Sequence, residues 1–390
     1  MTRPYENIKI LDLTHVLAGP FATYQFALLG AEVIKIEPPL SPDCARGRGP
    51  DATQNAALRG LNYQVQASNK KAITLDLKQE AGQRILKKLA KDTDILVENY
   101  RTGALEKLEL GYEDLKIVNP KLIYCSLSGF GAEGARAGVN AYDNVIQATS
   151  GIIDQSEGHK PGVSFVDYAS GYNAAFAISS ALHQRTQTGN GTYISCSMLE
   201  VAMNLMAPEV AAAQYPIKTK REKEAGISAY ECKDGILMVG AFTAEQNSRM
   251  WSMMEELRYE FLPELKTPND WESLWAATIQ IKSALTEILT DRTADDWQTL
   301  FHKNNLPAEK QRSLAQAVED PQLTGYFHKG EMAKGDTHAP ILPTAGFQFE
   351  NGPKITSPPP GFDEHTNEIM LSLGLDNEEI EQLRADGVIA

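Results

Sequence analysis

The chain has 390 residues, with 37 basic against 51 acidic side chains and a formal charge of −14. That length corresponds to two or three average domains, and a 42% hydrophobic content with 12 Phe, 14 Tyr and 4 Trp excludes a chain unable to bury a core. Phosphate backbones are held by clustered Lys and Arg, so the acid excess excludes a broad nucleic-acid face while leaving room for a local basic pocket.

In chain order, the first residues contain no apolar core of the kind a signal peptide needs, and no run of about 18 apolar residues follows. The richest run, 201–215, is interrupted by Asn204, Pro208 and Glu209. We therefore expect a soluble, cytoplasmic protein without a membrane partner. Residues 8–13, 32–36, 95–98 and 122–127 read as strands, and 21–29, 79–90, 105–118 and 144–151 as helices. Strands alternating with helices mean crossover connections and a mostly parallel sheet, hence an α/β, Rossmann-like large domain over residues 1–200. The charged stretch Lys218-Thr-Lys-Arg-Glu-Lys-Glu-Ala225 reads as a solvated linker. Asp234-Gly235 between two extended runs predicts a hairpin, and helices are expected at 244–257, 271–289 and 294–303. Residues 225–325 thus read as a smaller α+β domain. The Pro- and Gly-rich stretch 341–361 reads as extended, residues 377–385 as a closing helix, and 326–390 as a segment returning to the large domain.

Most chemical motifs are absent. There is no G-x-S-x-G, no H-E-x-x-H and no phosphate loop ending in Gly-Lys-Ser/Thr, and we expect no metal site. His159, His183, His302, His328 and His338 are scattered singly and read as structural. Cys44, Cys125, Cys196 and Cys232 lie too far apart for a zinc or redox pair, and Cys125 and Cys196 read as small buried hydrophobes. Gly129-Phe-Gly-Ala-Glu-Gly134 matches a dinucleotide fingerprint but follows several strands and opens no clean helix, so it reads as a Gly-rich loop near a ligand or a structural turn. The strongest candidate is Asp167. Residues 163–166 read as a short strand and 168–182 as a helix rich in Ala and Ser, which places Asp167 where α/β sheets bind ligands. There the helix dipole would keep it ionised as a nucleophile; a plain N-cap role fits the same position.

Ordered segments along the chain resemble the class III CoA-transferases, the formyl-CoA:oxalate and carnitine CoA-transferase family that also includes 2-methylacyl-CoA racemases. They are Leu11-Asp-Leu-Thr-His-Val-Leu-Ala-Gly-Pro20, Leu29-Gly-Ala-Glu-Val-Ile-Lys-Ile-Glu37, Asn69-Lys-Lys-Ala-Ile-Thr-Leu-Asp-Leu-Lys78, Val97-Glu-Asn-Tyr-Arg-Thr-Gly103, the Gly129–Gly134 loop, Tyr142-Asp143, Asp167, Arg185-x-x-Thr-Gly-x-Gly191, Asp320-Pro-Gln-Leu323 and Gly361-x-x-Glu-His-Thr366.

The resemblance implies an acyl-CoA:carboxylate CoA-transferase acting through a mixed anhydride and an aspartyl-CoA thioester on Asp167. A coenzyme A thioester and a small carboxylic acid would be its substrates, with no permanently bound cofactor, and two copies would form an interlocked homodimer. It also implies a CoA site of His15, Leu17, Ala18, Lys70, Leu75, Lys78, Asn99, Tyr100, Arg101, Lys107, Asn140 and Tyr142, with residues 75–78 as a strand. Within the family, the oxalate enzymes resemble the chain but carry Gln at the place of Leu17, Arg at that of Pro38 and a glycine run not found here, which argues against oxalate. The racemases place a catalytic His where Tyr142 stands. Tyr is a poor base near neutral pH, so α-proton transfer is the alternative activity.

Overall fold

The computed structural model describes residues 2–216, 222–329 and 341–390. Part of the charged linker, residues 218–221, and His338 therefore lie outside the described residues. The chain divides into two compact units, one of residues 1–211 with 325–390 and one of residues 212–324.

The larger unit is built on six parallel strands: β1 (Lys9–Leu13), β2 (Glu32–Glu37), β3 (Lys70–Thr74), β4 (Ile95–Glu98), β5 (Ile123–Ser128) and β6 (Thr192–Ser197), in the order β3-β2-β1-β4-β5-β6. A parallel sheet is covered on both faces, so its central strands bury apolar runs; Ile95, Leu96 and Val97 are all fully buried. Two cores follow. One face packs Ile10, Val33, Val97 and Cys125 against the helices Ala18–Leu28 and Phe165–Thr188. The other packs Leu11, Ile34, Ile73 and Leu96 against the helix Glu80–Ala90, whose Ile85, Leu86 and Leu89 recur at helical spacing. The predicted strands and helices before residue 128 are present, apart from residues 105–118. There only a 3₁₀ turn at Glu106–Leu108 and the helix Tyr112–Val118 form, because Glu109 takes a left-handed conformation between them. The third strand is Lys70–Thr74 rather than residues 75–78, which leave the sheet as Leu75 turns into the second core.

The outer edge of β3 is closed by the end of the chain. His365 N–H donates to Ala72 O at 2.9 Å, Thr74 N–H to Thr366 Oγ1 at 3.0 Å, and Asp76 N–H to Val388 O at 2.8 Å. Ile369, Met370, Ile380, Val388 and Ile389 complete the second core. Asn69, which tolerates φ 65 better than a branched residue, gathers the incoming segment by accepting from Thr356 and Ser357 and donating to Lys354 O.

The smaller unit has its own antiparallel sheet, β7 (Ala229–Cys232), β8 (Gly235–Val239) and β9 (Ala308–Lys310); the expected hairpin forms, but it turns one residue earlier than predicted, at Lys233-Asp234, with Gly235 already paired to Cys232. Helices Ala244–Glu256, Thr278–Ile288 and Ala294–Lys303 enclose Met250, Trp251, Leu285, Trp297 and Phe301. The single helix expected over 271–289 is two, Trp271–Ala276 and Thr278–Ile288, with the first started by an Asp270 capping box. Among the described residues no helix is long and apolar enough to cross a membrane.

Candidate active site

The site forms at the C-terminal edge of the sheet, where β1 leads into a strained turn. Thr14 N–H donates to Asp12 Oδ1 at 3.0 Å and Thr14 O accepts from Lys35 Nζ at 2.6 Å. His15 exchanges both backbone groups with the Asn99 side chain, at 2.9 and 2.8 Å. Val16 N–H reaches Asp43 Oδ1 at 3.0 Å, and Val16 O accepts from Gln66 Nε2 at 2.7 Å. With every backbone group of residues 14–16 engaged, Val16 is fixed at φ 75, a conformation that a β-branched residue adopts only when its surroundings force it.

What forces it is a layer of buried charge. Lys70 pairs with Asp12 at 2.9 Å, Lys35 with Asp43 at 3.1 Å and Arg46 with Glu37 at 2.7 Å, all essentially without solvent exposure. Burial alone would raise the Asp12 carboxyl, but the ammoniums of Lys70 and Lys35 and the Thr14 and Thr23 hydroxyls hold it well below the ordinary carboxylate range. Burial lowers Lys70 despite Asp12. This corrects one expectation: Lys70 is no pocket cation for a phosphate. Its ammonium is spent on Asp12, Thr23 and Pro20 O inside the fold.

Asp167 lies on the helix Phe165–Thr188, and its local structure also differs from expectation. Residues 163–166 form no strand; the helix begins at Phe165, so Asp167 is its third residue and not its N-cap. Ser164 stands at the cap but makes no capping hydrogen bond. The acceptor comes instead from the helix Asp143–Ser150: Asp143 Oδ1 takes the N–H of Val166 at 3.0 Å and of Asp167 at 3.2 Å, while Gln147 donates to Asp143 Oδ2. Close packing on this helix depends on Gly171. A Cβ there would lie 2.7 Å from Ala18 O, so glycine lets the two helices meet beside the strained turn. Burial first, and the Asp143 charge second, push the Asp167 carboxyl up to about 7. The expected full ionisation by the helix dipole is therefore corrected: desolvation and a second carboxylate outweigh it.

Two clefts meet at this carboxyl, sharing Val16, Leu17, Tyr142 and Asp167. The first, of about 300 Å³, is also lined by His15, Ala18, Asn99, Tyr100, Arg101, Gly129 and Asn140. The His15 and Tyr100 rings meet edge to face at 5.8 Å, and burial lowers the imidazole, favouring its neutral form. Gly129 belongs to the Gly-rich loop, where a Cβ would collide with Ala141 at 2.4 Å; the loop thus sits at a ligand-sized cleft and opens no helix. The second cleft, of about 810 Å³, adds Arg48, Asn62, Asn144, Lys160 and Ser164. Of the expected binding residues, His15, Leu17, Ala18, Asn99, Tyr100, Arg101, Asn140 and Tyr142 line the first cleft. Leu75 is buried in the second core, while Lys78 and Lys107 are exposed and line neither cleft.

Sequence reasoning missed Asp143 as the cap, the Lys35–Asp43 pair, and Arg48 and Lys160. A signal existed for the buried charges. Asp12 and Lys35 each stand between apolar strand residues, and a charge inside a sheet covered on both faces requires a buried partner.

The family model described as CoA-transferase family III matches residues 5–366. The chain is 33% identical to a mouse succinyl-CoA:glutarate CoA-transferase, over 99% of this chain and 90% of that protein. It is 28% identical to a Clostridioides difficile (R)-2-hydroxy-4-methylpentanoate CoA-transferase, over 98% of this chain and 99% of the relative. Among solved structures, a CAIB/BAIF family protein from Brucella suis superimposes with a TM-score of 0.78 at 27% identity, covering 96% of this chain and all of that one.

Proposed function

Because the chain belongs to CoA-transferase family III, we propose that it moves CoA between two carboxylic acids through covalent intermediates on Asp167. The ionised Asp167 carboxylate attacks the acyl-CoA thioester carbonyl, forming a mixed anhydride and releasing CoA thiolate. The thiolate attacks the aspartyl carbonyl, leaving CoA as an Asp167 thioester and freeing the first acid. The acceptor carboxylate then runs both steps in reverse. A carboxylate nucleophile carries its own charge and needs no base. The observation that supports this reading most directly is that Asp167 stands at the junction of two clefts, so a thioester arm and an acid can reach one carboxyl together.

In this reading the first cleft takes the pantetheine arm between His15, Leu17, Ala18, Asn99, Tyr100, Asn140 and Tyr142, and Arg101, Lys78 and Lys107 meet the outer phosphates. Tyr142 in place of His offers racemisation no competent base near neutral pH. The interlocked homodimer belongs to the same proposal, and light scattering of the purified protein tests it: a dimeric mass is expected, and a monomeric mass overturns it.

The mechanism is tested by incubating the protein with succinyl-CoA, trapping with hydroxylamine and mapping the modified peptide. The adduct is expected on Asp167, and an adduct elsewhere or none overturns the scheme. Asp167→Ala should lower transfer by about 10⁴-fold or more while CoA binding persists.

A further inference from the structure

Two arginines lie two residues apart after β2, and the backbone sends them in opposite directions. Arg46 is fully buried, its guanidinium held by Glu37 and stacked over Tyr63 at 3.8 Å. Arg48, in extended backbone, is exposed and lines the second cleft. Its own N–H donates to Ala45 O and its carbonyl accepts from Asn62 N–H, so the chain is anchored on both sides of a side chain that has no ion pair among the described residues. Lys160 lines the same cleft, with its Nζ bonded to Pro161 O at 2.8 Å and 3.9 Å from Asp143 Oδ2, too far for a hydrogen bond. The cleft therefore holds two incompletely matched cations around the Asp143 and Asp167 carboxyls.

A monocarboxylate brings one anionic group, which the transfer reaction brings to the reacting centre at Asp167, and leaves Arg48 without an anion and Lys160 with only the distant Asp143 carboxylate. An acid with a second carboxylate supplies the missing anion, and the planar, two-pronged guanidinium of Arg48 suits it. The phosphates of CoA are poor candidates for this place, because the long pantetheine arm separates them from the thioester that Asp167 attacks. We propose that the second cleft binds the far carboxylate of a short dicarboxylic acid, and that Arg48, assisted by Lys160, makes the protein selective for such diacids. The inference rests on the transferase reading and adds to it the class of acid.

The test compares glutarate with pentanoate, an acid of equal carbon number lacking the second carboxylate, as acceptors of CoA from acetyl-CoA. The wild-type protein should favour glutarate in kcat/KM by tenfold or more. Arg48→Gln should cut that preference at least tenfold, Arg48→Lys should restore part of it, and Lys160→Gln should cut it less. A wild type without the preference overturns the inference. So does an Arg48→Gln variant with unaltered selectivity, including one whose loss lies only in the KM for acetyl-CoA, as a phosphate contact predicts. If neither these acids nor a wider panel accepts CoA from any thioester, the transferase reading fails first and takes this one with it.

Discussion

In the proposed reaction Asp167 and Asp143 form a pair in which one carboxylate reacts and the other holds it in place. A carboxyl raised to about 7 is the nucleophile only in its ionised form, so that form is present above this value and is lost as pH falls through it. The acid limb of the kcat/KM profile should therefore bend near pH 7, well above an ordinary aspartate. Asp143→Asn keeps an oxygen to accept the Val166 and Asp167 N–H groups but removes the charge that raises Asp167. The bend should move to lower pH, with a rate gain on the acid side of about tenfold for every pH unit that the bend moves. An unmoved profile would mean that burial alone sets the value. The helix that carries Asp167 was legible in the sequence, whereas the strand expected to lead into it at residues 163–166 does not form. That a side chain more than twenty residues earlier caps its helix was not legible, because capping across elements leaves no local pattern in the chain.

At the scale of the strand, Lys70 and Lys71 illustrate what alternation does. Adjacent in sequence, they point to opposite faces: Lys70 to the buried Asp12, and Lys71 to Glu32 and Glu368 at the surface, 3.3 and 2.8 Å away. Lys70→Met would leave Asp12 charged and unpaired inside the protein and should cost about 3–5 kcal/mol in urea unfolding, whereas Lys71→Met should cost under about 1 kcal/mol. Combining Lys70→Met with Asp12→Leu should recover much of the loss, since no lone charge then remains. The alternation of strands and helices was legible because each element carries its own periodicity. The 3₁₀ turn at Glu106–Leu108 and the break at Ala277 were not, because both depend on single-residue dihedral angles.

Across the whole molecule, aromatic residues are unevenly distributed: all four tryptophans, Trp251, Trp271, Trp275 and Trp297, fall within residues 212–324. Tryptophan emission thus reports on the smaller unit alone. Trp251→Ala empties a fully buried position and should cost that unit about 3–5 kcal/mol. Hydrogen exchange should locate the lost protection within residues 212–324 and leave the sheet β1–β6 protected. Uniform loss across both units would mean that they unfold as one.

The closure of β3 by residues 365–390 has a consequence for synthesis. The smaller unit is contiguous, so the ribosome releases everything its core needs once residue 324 has emerged. The larger unit begins first yet finishes last. Until Ile369, Met370, Ile380 and Val388 arrive, its second core stays incomplete and the open edge of β3 is left to the cell's chaperones.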